Sequence, residues 1–267
     1  MCYTPIYLKS ENIMAKYRTN SFTCGKCLEC RKSRVNSWFV RLKSELAACD
    51  TAYFITLTYD DSNLPFSEFG YISLNYADTQ KYWKRVRKAM PRGSKKIKYF
   101  LVGEYGSKTF RPHYHAIVFN GIESLLRDCW TLGMSHIGNV TDASLYYTLK
   151  YCFKNIIDGQ DDDDDDRVKS KALMSKNLGL SYLTDDVVKY YHDDVSRPMR
   201  LLGNRIVGLP RYYRDRIFDD GQKELRSALL SDFSSLDFDR RLLPHFGDFV
   251  KMEIELKERD LLINSKF

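Results

Sequence analysis

The chain has 267 residues, of which 43% are hydrophobic and 29% charged, a composition typical of a soluble globular protein. No run of about 18 apolar residues is present, which excludes a transmembrane helix, and the first residues lack the pattern of a signal peptide, so we expect a cytoplasmic protein. The formal net charge is +7, and without the six aspartates of Asp161–Asp166 it would be +13, which favours a phosphate-rich partner such as nucleic acid.

Strands and helices are predicted in mixed order over the first part of the chain. After a cysteine-rich loop over residues 1–32, apolar residues at helical spacing predict a helix over 33–49. Strands rich in β-branched and aromatic residues are predicted at Thr51–Tyr59, Lys98–Glu104, His113–Phe119 and Ser135–Val140. Further helices are predicted at Asn75–Met90, at Ile122–Thr131 and from Thr141 or Asp142 to about Asn155.

An acidic segment separates these elements from the C-terminal part of the chain. Asp158–Asp166 cannot bury apolar surface and repels itself, which predicts a solvated or disordered loop. Beyond it, helical patterns lie near residues 184–192, 209–218, 221–230 and 245–264. We therefore expect four parts: a Cys-rich segment with its helix (1–50), a core (51–157), the acidic loop (158–166) and a mostly helical C-terminal extension (167–267).

A pair of histidines is the sharpest local signal for a metal site. Side chains alternate between the two faces of a strand, so His113 and His115 share one face and Tyr114 lies on the other. A tight turn between the second and third predicted strands would make them antiparallel and place the two histidines beside Glu104. Two imidazoles and a carboxylate suit a divalent ion such as Mg²⁺ or Mn²⁺. The alternative is two surface histidines and an unrelated glutamate.

Two tyrosines mark the helix that follows the last predicted strand of the core. Tyr147 and Tyr151 are one helical turn apart, with Lys150 and Lys154 on the same side. A phenol could attack a phosphodiester, provided that a metal ion and the nearby lysines assist it, because the ordinary pKa of a phenol is about 10. The alternative is an ordinary amphipathic helix with tyrosines at its boundary.

A cluster of four cysteines near the N-terminus is a candidate for a second metal site. Cys24, Cys27 and Cys30 form C-x-x-C-x-x-C, and Cys2 is a fourth thiol. Structural zinc, an iron–sulfur cluster and free thiols all remain open. We expect no disulfide framework, because seven cysteines is an odd number and the chain looks unsecreted. The other cysteines are expected in buried positions and the other histidines, including His136, in structural ones.

Three ordered motifs resemble those of the HUH endonucleases, in particular the replication initiators of gokushovirus-like microviruses. The motifs are FITLTYDD (Phe54–Asp61), GEYGSKTFRPHYHAIVF (Gly103–Phe119) and YTLKYCFK (Tyr147–Lys154). The resemblance extends to Cys24–Glu45, Ser175–Leu180 and Leu209–Phe218. It implies an α+β fold with a central antiparallel sheet of about five strands, backed by helices, with the metal site on the open face.

The resemblance also implies residue roles and a reaction. His113, His115 and Glu104 would be the ligands of a catalytic Mg²⁺ or Mn²⁺, and Tyr147 and Tyr151 the paired nucleophiles with Lys150 beside them. The activity expected is metal-dependent nicking and rejoining of single-stranded origin DNA through a 5′-phosphotyrosine, in the cytoplasm of a bacterial host. No Walker A motif is present, so helicase and polymerase would come from the host. The alternatives are a related transposase or relaxase, and a catalytically idle DNA-binding or packaging protein.

Overall fold

The fold is α+β, as predicted, in a computed structural model that describes residues 2–8, 21–154, 165–201 and 205–231. The strands are β1 (Ile6–Tyr7), β2 (Ser21–Phe22), β3 (Ala52–Thr58), β4 (Lys98–Tyr105), β5 (Pro112–Phe119), β6 (Ser135–Asn139), β7 (Ala172–Met174), β8 (Met199–Leu201) and β9 (Arg205–Val207). The α-helices are α1 (Leu28–Ala48), α2 (Tyr76–Ala89), α3 (Glu123–Asp128), α4 (Asp142–Lys154), α5 (Asp185–Asp193), α6 (Arg211–Ile217) and α7 (Asp220–Ser231). Short 3₁₀ helices lie at Asp61–Asn63 and Leu180–Tyr182.

A five-stranded antiparallel sheet in the order β6-β3-β5-β4-β7 lies within residues 52–174, which confirms the predicted sheet. The four strands predicted from composition are observed within one or two residues of their predicted bounds. The fifth, β7, comes from the region that the sequence assigned to the C-terminal extension, where three residues give no strand signal. Helix α1 begins at Leu28 rather than residue 33, and α3 ends at Asp128, before the predicted Thr131.

One face of the sheet packs against α2 and α3. Tyr82, Trp83 and Val86 of α2 are buried against Leu57 and Leu101 of the strands. This is the face that carries the side chain of Tyr114, between the two histidines in sequence. Its buried hydroxyl accepts a hydrogen bond from the backbone N–H of Asn75 and lies 3.2 Å from the hydroxyl of Tyr59. Tyr114 is therefore accommodated in the interior, because its polar atom has partners.

The opposite face packs against α1 and α4, so it is covered in part and is not the open face that the resemblance implied. Trp38 of α1 lies against Phe100 of β4, with ring centroids 4.9 Å apart, and Phe39 stacks on Tyr146 of α4 at 4.2 Å. Leu145 and Leu149 of α4 are fully buried. Helix α4 begins with a reciprocal cap, in which Thr141 Oγ1 accepts from Ser144 N and Ser144 Oγ accepts from Thr141 N. These contacts hold α4 at a defined position over the sheet.

The chain separates into two compact units, Met1–Thr184 and Asp185–Phe267. The first therefore extends beyond residue 157, the predicted end of the core, because β7 completes the sheet. In the second, α5, the β8–β9 pair, α6 and α7 surround buried Tyr191, Tyr213 and Phe218. The helical pattern at 245–264 and most of the acidic run, Asp161–Asp164, lie outside the described residues. No helix within the described ranges is long and apolar enough to cross a bilayer.

Candidate metal centre and tyrosine helix

The antiparallel pairing of β4 with β5 brings a carboxylate and two imidazoles together at one end of the sheet. Glu104 lies directly opposite His113, and His115 follows two residues along β5 on the same face. Glu104 Oε2 is 3.4 Å from His113 Nε2 and 3.6 Å from His115 Nε2. Two atoms that each bind a shared ion at about 2.1 Å lie roughly 3 to 3.5 Å apart, so these separations fit a common divalent ion.

The carboxylate has the environment of a metal ligand rather than of a surface glutamate. Glu104 is only 7% exposed, and its Oε2 is buried and accepts no hydrogen bond within the described part of the chain. A buried carboxylate oxygen without a donor is costly, and a bound cation would supply the missing interaction. The donor set of one carboxylate and two imidazoles therefore fits a divalent cation at this position.

Hydrogen bonds to the far side of each imidazole leave Nε2 of both histidines facing Glu104. Nδ1 of His113 lies 3.2 Å from the backbone carbonyl of Arg111, which can only accept, so this nitrogen carries the proton. Nδ1 of His115 lies 2.9 Å from Oγ1 of Thr56 on the neighbouring strand. Contacts of this kind fix the orientation and tautomer of a metal-binding histidine.

His115 is held in its neutral form. Burial, together with the nearby imidazole of His113, lowers the pKa of His115 to about 3. A neutral imidazole is the form that binds a metal ion, so His115 is ready to act as a ligand at physiological pH.

Tyr147 lies beside this cluster at the exposed edge of α4. Its ring meets His115 edge-on, with centroids 5.2 Å apart, and also meets Phe54 edge-on at 6.1 Å. Phe54 in turn stacks on His115 at 5.6 Å. Tyr147 is 40% exposed, whereas its neighbour Tyr146 stacks in the interior on Phe39. Of these two adjacent tyrosines, Tyr147 is the one on the side of the metal cluster.

The other two residues proposed for this helix are described by their backbone alone. Lys150 and Tyr151 continue α4, so Tyr151 is one turn beyond Tyr147 along the helix axis. Their side chains lie outside the described part of the structure, as does that of Lys154.

The four N-terminal cysteines also converge. The sulfur atoms of Cys2, Cys24, Cys27 and Cys30 all lie within 4.8 Å of one another. Hydrogen bonds from the side chain of Thr4 and from the backbone N–H groups of Cys27 and Lys26 lower the pKa of Cys24 to about 5, which favours its thiolate. Among the described residues, two separate groups of candidate metal ligands are thus present.

The sequence predicts no role for Thr56 or Phe54 and only a structural one for His136, but all three lie on the sheet face that carries His115. Thr56 and Phe54 belong to the first motif, and their alternation along β3 places them on the face of His115. His136 of β6 is opposite Thr56, in the same row across the sheet, and is exposed. The alternation signal was present in the sequence, but the order of the strands, which decides what lies beside what, was not.

Two basic residues of α1 contact other parts of the first unit. Arg41 lies over the ring of Trp38 and donates to the backbone carbonyl of Leu178, and Lys43 forms an ion pair with Asp142 at 2.8 Å. Part of the positive charge of α1 therefore stabilises the first unit.

Known proteins resemble the chain over this same region and beyond it. A family model that describes replication-associated proteins of the ORF2 type matches residues 52–156, from β3 to just beyond the end of α4. Replication-associated protein VP4 of Bdellovibrio phage phiMH2K is 30% identical over 79% of this chain and 71% of its own length. Replication-associated protein ORF2 of Spiroplasma virus 4 is 30% identical over 77% of this chain and 70% of its own length.

A third relative, replication-associated protein ORF4 of Chlamydia phage 1, is 27% identical over 78% of this chain and 57% of its own length. No solved structure matches the chain. The similarity to these relatives extends over most of the chain and is not confined to one short motif. The chain therefore belongs to the replication-associated proteins of the microvirus type.

Proposed function

We propose that this protein starts rolling-circle replication by nicking and later rejoining single-stranded origin DNA through a phosphotyrosine. The observation that carries the proposal is the convergence of Glu104, His113 and His115 with the ring of Tyr147 packed against His115. A set of metal ligands beside an exposed phenol suits the transfer of a phosphodiester to tyrosine. Membership of the replication-associated family supports DNA as the substrate.

Glu104, His113 and His115 would hold Mg²⁺ or Mn²⁺. When bound, such an ion polarises the scissile phosphate and offsets the charge that develops on it. The protein's own contribution is to fix the three ligands: the β4–β5 pairing sets the carboxylate opposite His113, and Thr56 and the Arg111 carbonyl orient the rings. The neutral state of His115 keeps a ligand nitrogen available without loss of a proton.

Tyr147 is proposed as a nucleophile. Its phenolic oxygen attacks the phosphorus and gives up its proton, a tyrosine–phosphate bond forms, and the bond from phosphorus to the 3′ oxygen breaks. The departing oxygen takes up a proton and becomes the 3′-hydroxyl that a host polymerase extends. Because the new ester conserves the energy of the broken linkage, the reverse attack rejoins DNA without ATP.

Tyr151 is proposed as the second nucleophile, with Lys150 as the phosphate-binding cation between the two. The four-residue step from Tyr147 to Tyr151 rises about 6 Å along the helix axis, so two phenols on one face can reach the same phosphate in turn. After one round of synthesis the second tyrosine cleaves the regenerated origin. The released 3′-hydroxyl then attacks the first phosphotyrosine and closes a circle.

The partners proposed are origin DNA in single-stranded form and the helicase and polymerase of a bacterial host, in whose cytoplasm the protein would act. The basic charge of the chain outside its aspartate run favours contacts with DNA phosphates. Such contacts are independent of the catalytic ion, so DNA affinity and cleavage should separate in variants of the metal ligands.

The decisive experiment incubates the full-length protein and Mn²⁺ with end-labelled oligonucleotides that tile a microvirus genome. We expect one fragment to be cut and its 5′ end to stay attached to protein on a denaturing gel. Mass spectrometry should then place the nucleotide on Tyr147 or Tyr151. A protein that binds the fragments with no adduct at any metal concentration would instead be an idle DNA-binding or packaging factor.

Tyrosine variants separate the two phenols. Tyr147→Phe or Tyr151→Phe alone should leave some single-turnover nicking but impair circle closure, and the double variant should form no adduct. Tyr146→Phe is the matched control, because it keeps the ring stacked on Phe39, and it should leave the adduct unchanged. An adduct on Tyr146, or on a tyrosine outside α4, would contradict the assignment.

Ligand variants test the metal centre. His113→Ala and His115→Ala should each abolish cleavage while leaving the affinity for the same oligonucleotide within about threefold, because phosphate contacts carry most of the binding. Cleavage that persists in the double variant with EDTA present would rule out the metal role of this cluster.

A further inference from the structure

The geometry of the N-terminal cysteines points to a second metal ion. The Sγ atoms of Cys24 and Cys30 are 3.9 Å apart and those of Cys27 and Cys2 are 3.8 Å apart. Four ligands at about 2.3 Å from one ion, the usual zinc–thiolate distance, form a tetrahedron whose edges are about 3.8 Å. Both measured separations match such an edge, and the other pairs lie within 4.8 Å. We infer that Cys2, Cys24, Cys27 and Cys30 bind one structural zinc ion.

The same separations argue against disulfides and against an iron–sulfur cluster with several irons. A disulfide brings two sulfurs to about 2.05 Å, far shorter than any of these contacts. An iron–sulfur cluster places several irons and sulfides between the cysteine sulfurs, which moves them further apart than the edge of a single-ion tetrahedron. One ion with four protein ligands leaves no position for substrate, so this site is of the closed, structural kind.

Backbone donors around the sulfurs are arranged for thiolates. The N–H groups of Lys26 and Cys27 donate to Cys24 Sγ at 3.4 and 3.2 Å, and Cys24 N–H donates to Cys2 Sγ at 3.3 Å. Gly25 adopts a φ of 72°, which turns the chain sharply enough for the following N–H groups to point back at the sulfur. Donors of this kind stabilise the negative charge that four thiolates bring to a zinc ion.

The ligands come from three separate segments of the chain, so the ion would act as a clasp that cross-links these segments. Cys2 precedes β1, Cys24 follows β2, and Cys27 and Cys30 lie at the first turn of α1. Helix α1 continues from the clasp to Phe39, which stacks on Tyr146 of the tyrosine helix. The zinc ion would therefore position α1, and through it α4, without touching DNA. This last link rests on the proposed function, whereas the metal site itself does not.

Metal content tests the site directly. The full-length protein is expressed with zinc and iron both supplied, freed of loosely bound metal and analysed for its elements. We expect about one zinc per chain and a colourless protein. Cys24→Ser should lose the zinc, whereas Cys49→Ser, which changes a cysteine outside the cluster, and His113→Ala, which changes the other centre, should both keep it. Coloured iron-containing protein, no metal, or unreduced disulfides among these four residues would overturn the assignment.

A second measurement keeps the test decisive if Cys24→Ser does not fold. Wild-type protein refolded with Co²⁺ in place of zinc should show the visible absorption of tetrahedral cobalt bound by four thiolates, and zinc should abolish it. Cobalt bound by nitrogen or oxygen ligands instead would overturn the proposal. Neither experiment uses DNA, so its result is independent of whether the tyrosines nick.

Hydrogen exchange then tests the clasp. Removal of zinc should increase exchange in the first two turns of α1 and lower the yield of the tyrosine adduct, while the exchange of β5 stays unchanged. Unchanged protection of α1 without zinc would show that the ion does not position this helix.

Discussion

Thr56 decides at the scale of a single residue which nitrogen of His115 faces Glu104. Its hydroxyl is 2.9 Å from His115 Nδ1, which leaves Nε2 toward the carboxylate. We predict that Thr56→Val weakens Mn²⁺ binding by about 10- to 100-fold. Loss of a hydrogen bond that orients a metal-binding histidine commonly has this effect. Thr56→Ser keeps the hydroxyl and should bind within about threefold of the wild type. Competition of Mn²⁺ with a metal indicator measures both, and equal losses in the two variants would contradict a role of the hydroxyl.

His115 also gives the metal-free protein a pH-dependent stability. The pKa of His115 falls from an ordinary value near 6.5 to about 3 on folding, so the unfolded chain takes up a proton below pH 6.5 that the folded chain refuses. Its contribution to stability is present above the unfolded pKa and is lost as the pH falls from about 6.5 toward 3. We predict that the free energy of unfolding decreases by about 2 kcal/mol from this group between pH 7 and pH 5.

Urea unfolding in EDTA at the two pH values measures this effect. The difference between wild type and His115→Asn isolates the single group, since the other titrating residues are common to both. A decrease that is the same in the variant would show that His115 is not the group responsible.

The connection from α3 to β6 packs closely against the backbone at the end of β3, at Gly133. Gly133 lies so near to β3 that an added Cβ would be 2.3 Å from the carbonyl oxygen of Thr58. The same region binds β3 through Trp130 Nε1, which donates to Thr58 O, and through Met134 O, which accepts from Thr58 N. Moving this connection outward would therefore disturb the strand that carries Thr56.

We predict that Gly133→Ala lowers the free energy of unfolding by more than about 3 kcal/mol or prevents folding, because backbone atoms cannot yield as a flexible side chain can. Gly70→Ala is the matched control: Gly70 also has a positive φ, of 83°, but nothing lies within 4 Å of its added Cβ. Gly70→Ala should lower the free energy of unfolding by only about 1 kcal/mol, through backbone strain. Thermal or urea unfolding compares the two, and similar losses would mean that backbone strain alone matters at Gly133.

At the scale of the whole molecule, the extent of the first unit follows from β7. Phe100, Leu101 and Val102 of β4 pair with Met174, Leu173 and Ala172, so the sheet is complete only when this strand is present. Glu45 of α1 strengthens the same region, since its buried carboxylate pairs with Lys98 at 2.7 Å and accepts from Gly179 N–H at 2.7 Å. The segment just before Thr184 thus belongs to the structure that carries the metal centre.

Two truncations test this boundary. We predict that residues 1–184 fold cooperatively and bind Mn²⁺ within about threefold of the full chain, because the ligands and their supports all lie in this unit. Residues 1–157 should be destabilised by several kcal/mol or insoluble, since they leave the edge of β4 and the carboxylate of Glu45 exposed. Circular dichroism and metal titration measure both. A stable 1–157 fragment would contradict this prediction and support a boundary at residue 157.

The sequence by itself determined the elements and motifs that depend on local order. Alternation along His113–Phe119 predicted which face each side chain takes, and apolar spacing predicted the helix of Tyr147, because these patterns depend on backbone geometry alone. The family followed from three motifs in order. The four converging cysteines could be nominated from spacing, but their alternatives stayed open because spacing does not give distances between sulfurs.

The tertiary structure alone decided how distant segments meet. The row of Thr56, His115 and His136 depends on strand order, and the membership of Ala172–Met174 in the sheet depends on an edge of β4 that local sequence cannot report. The partial cover of the metal face by α1 and α4 arises from long-range packing between Phe39 and Tyr146. Such contacts join residues that are far apart in the chain, and their energy comes from surface that is buried only when both segments have already folded.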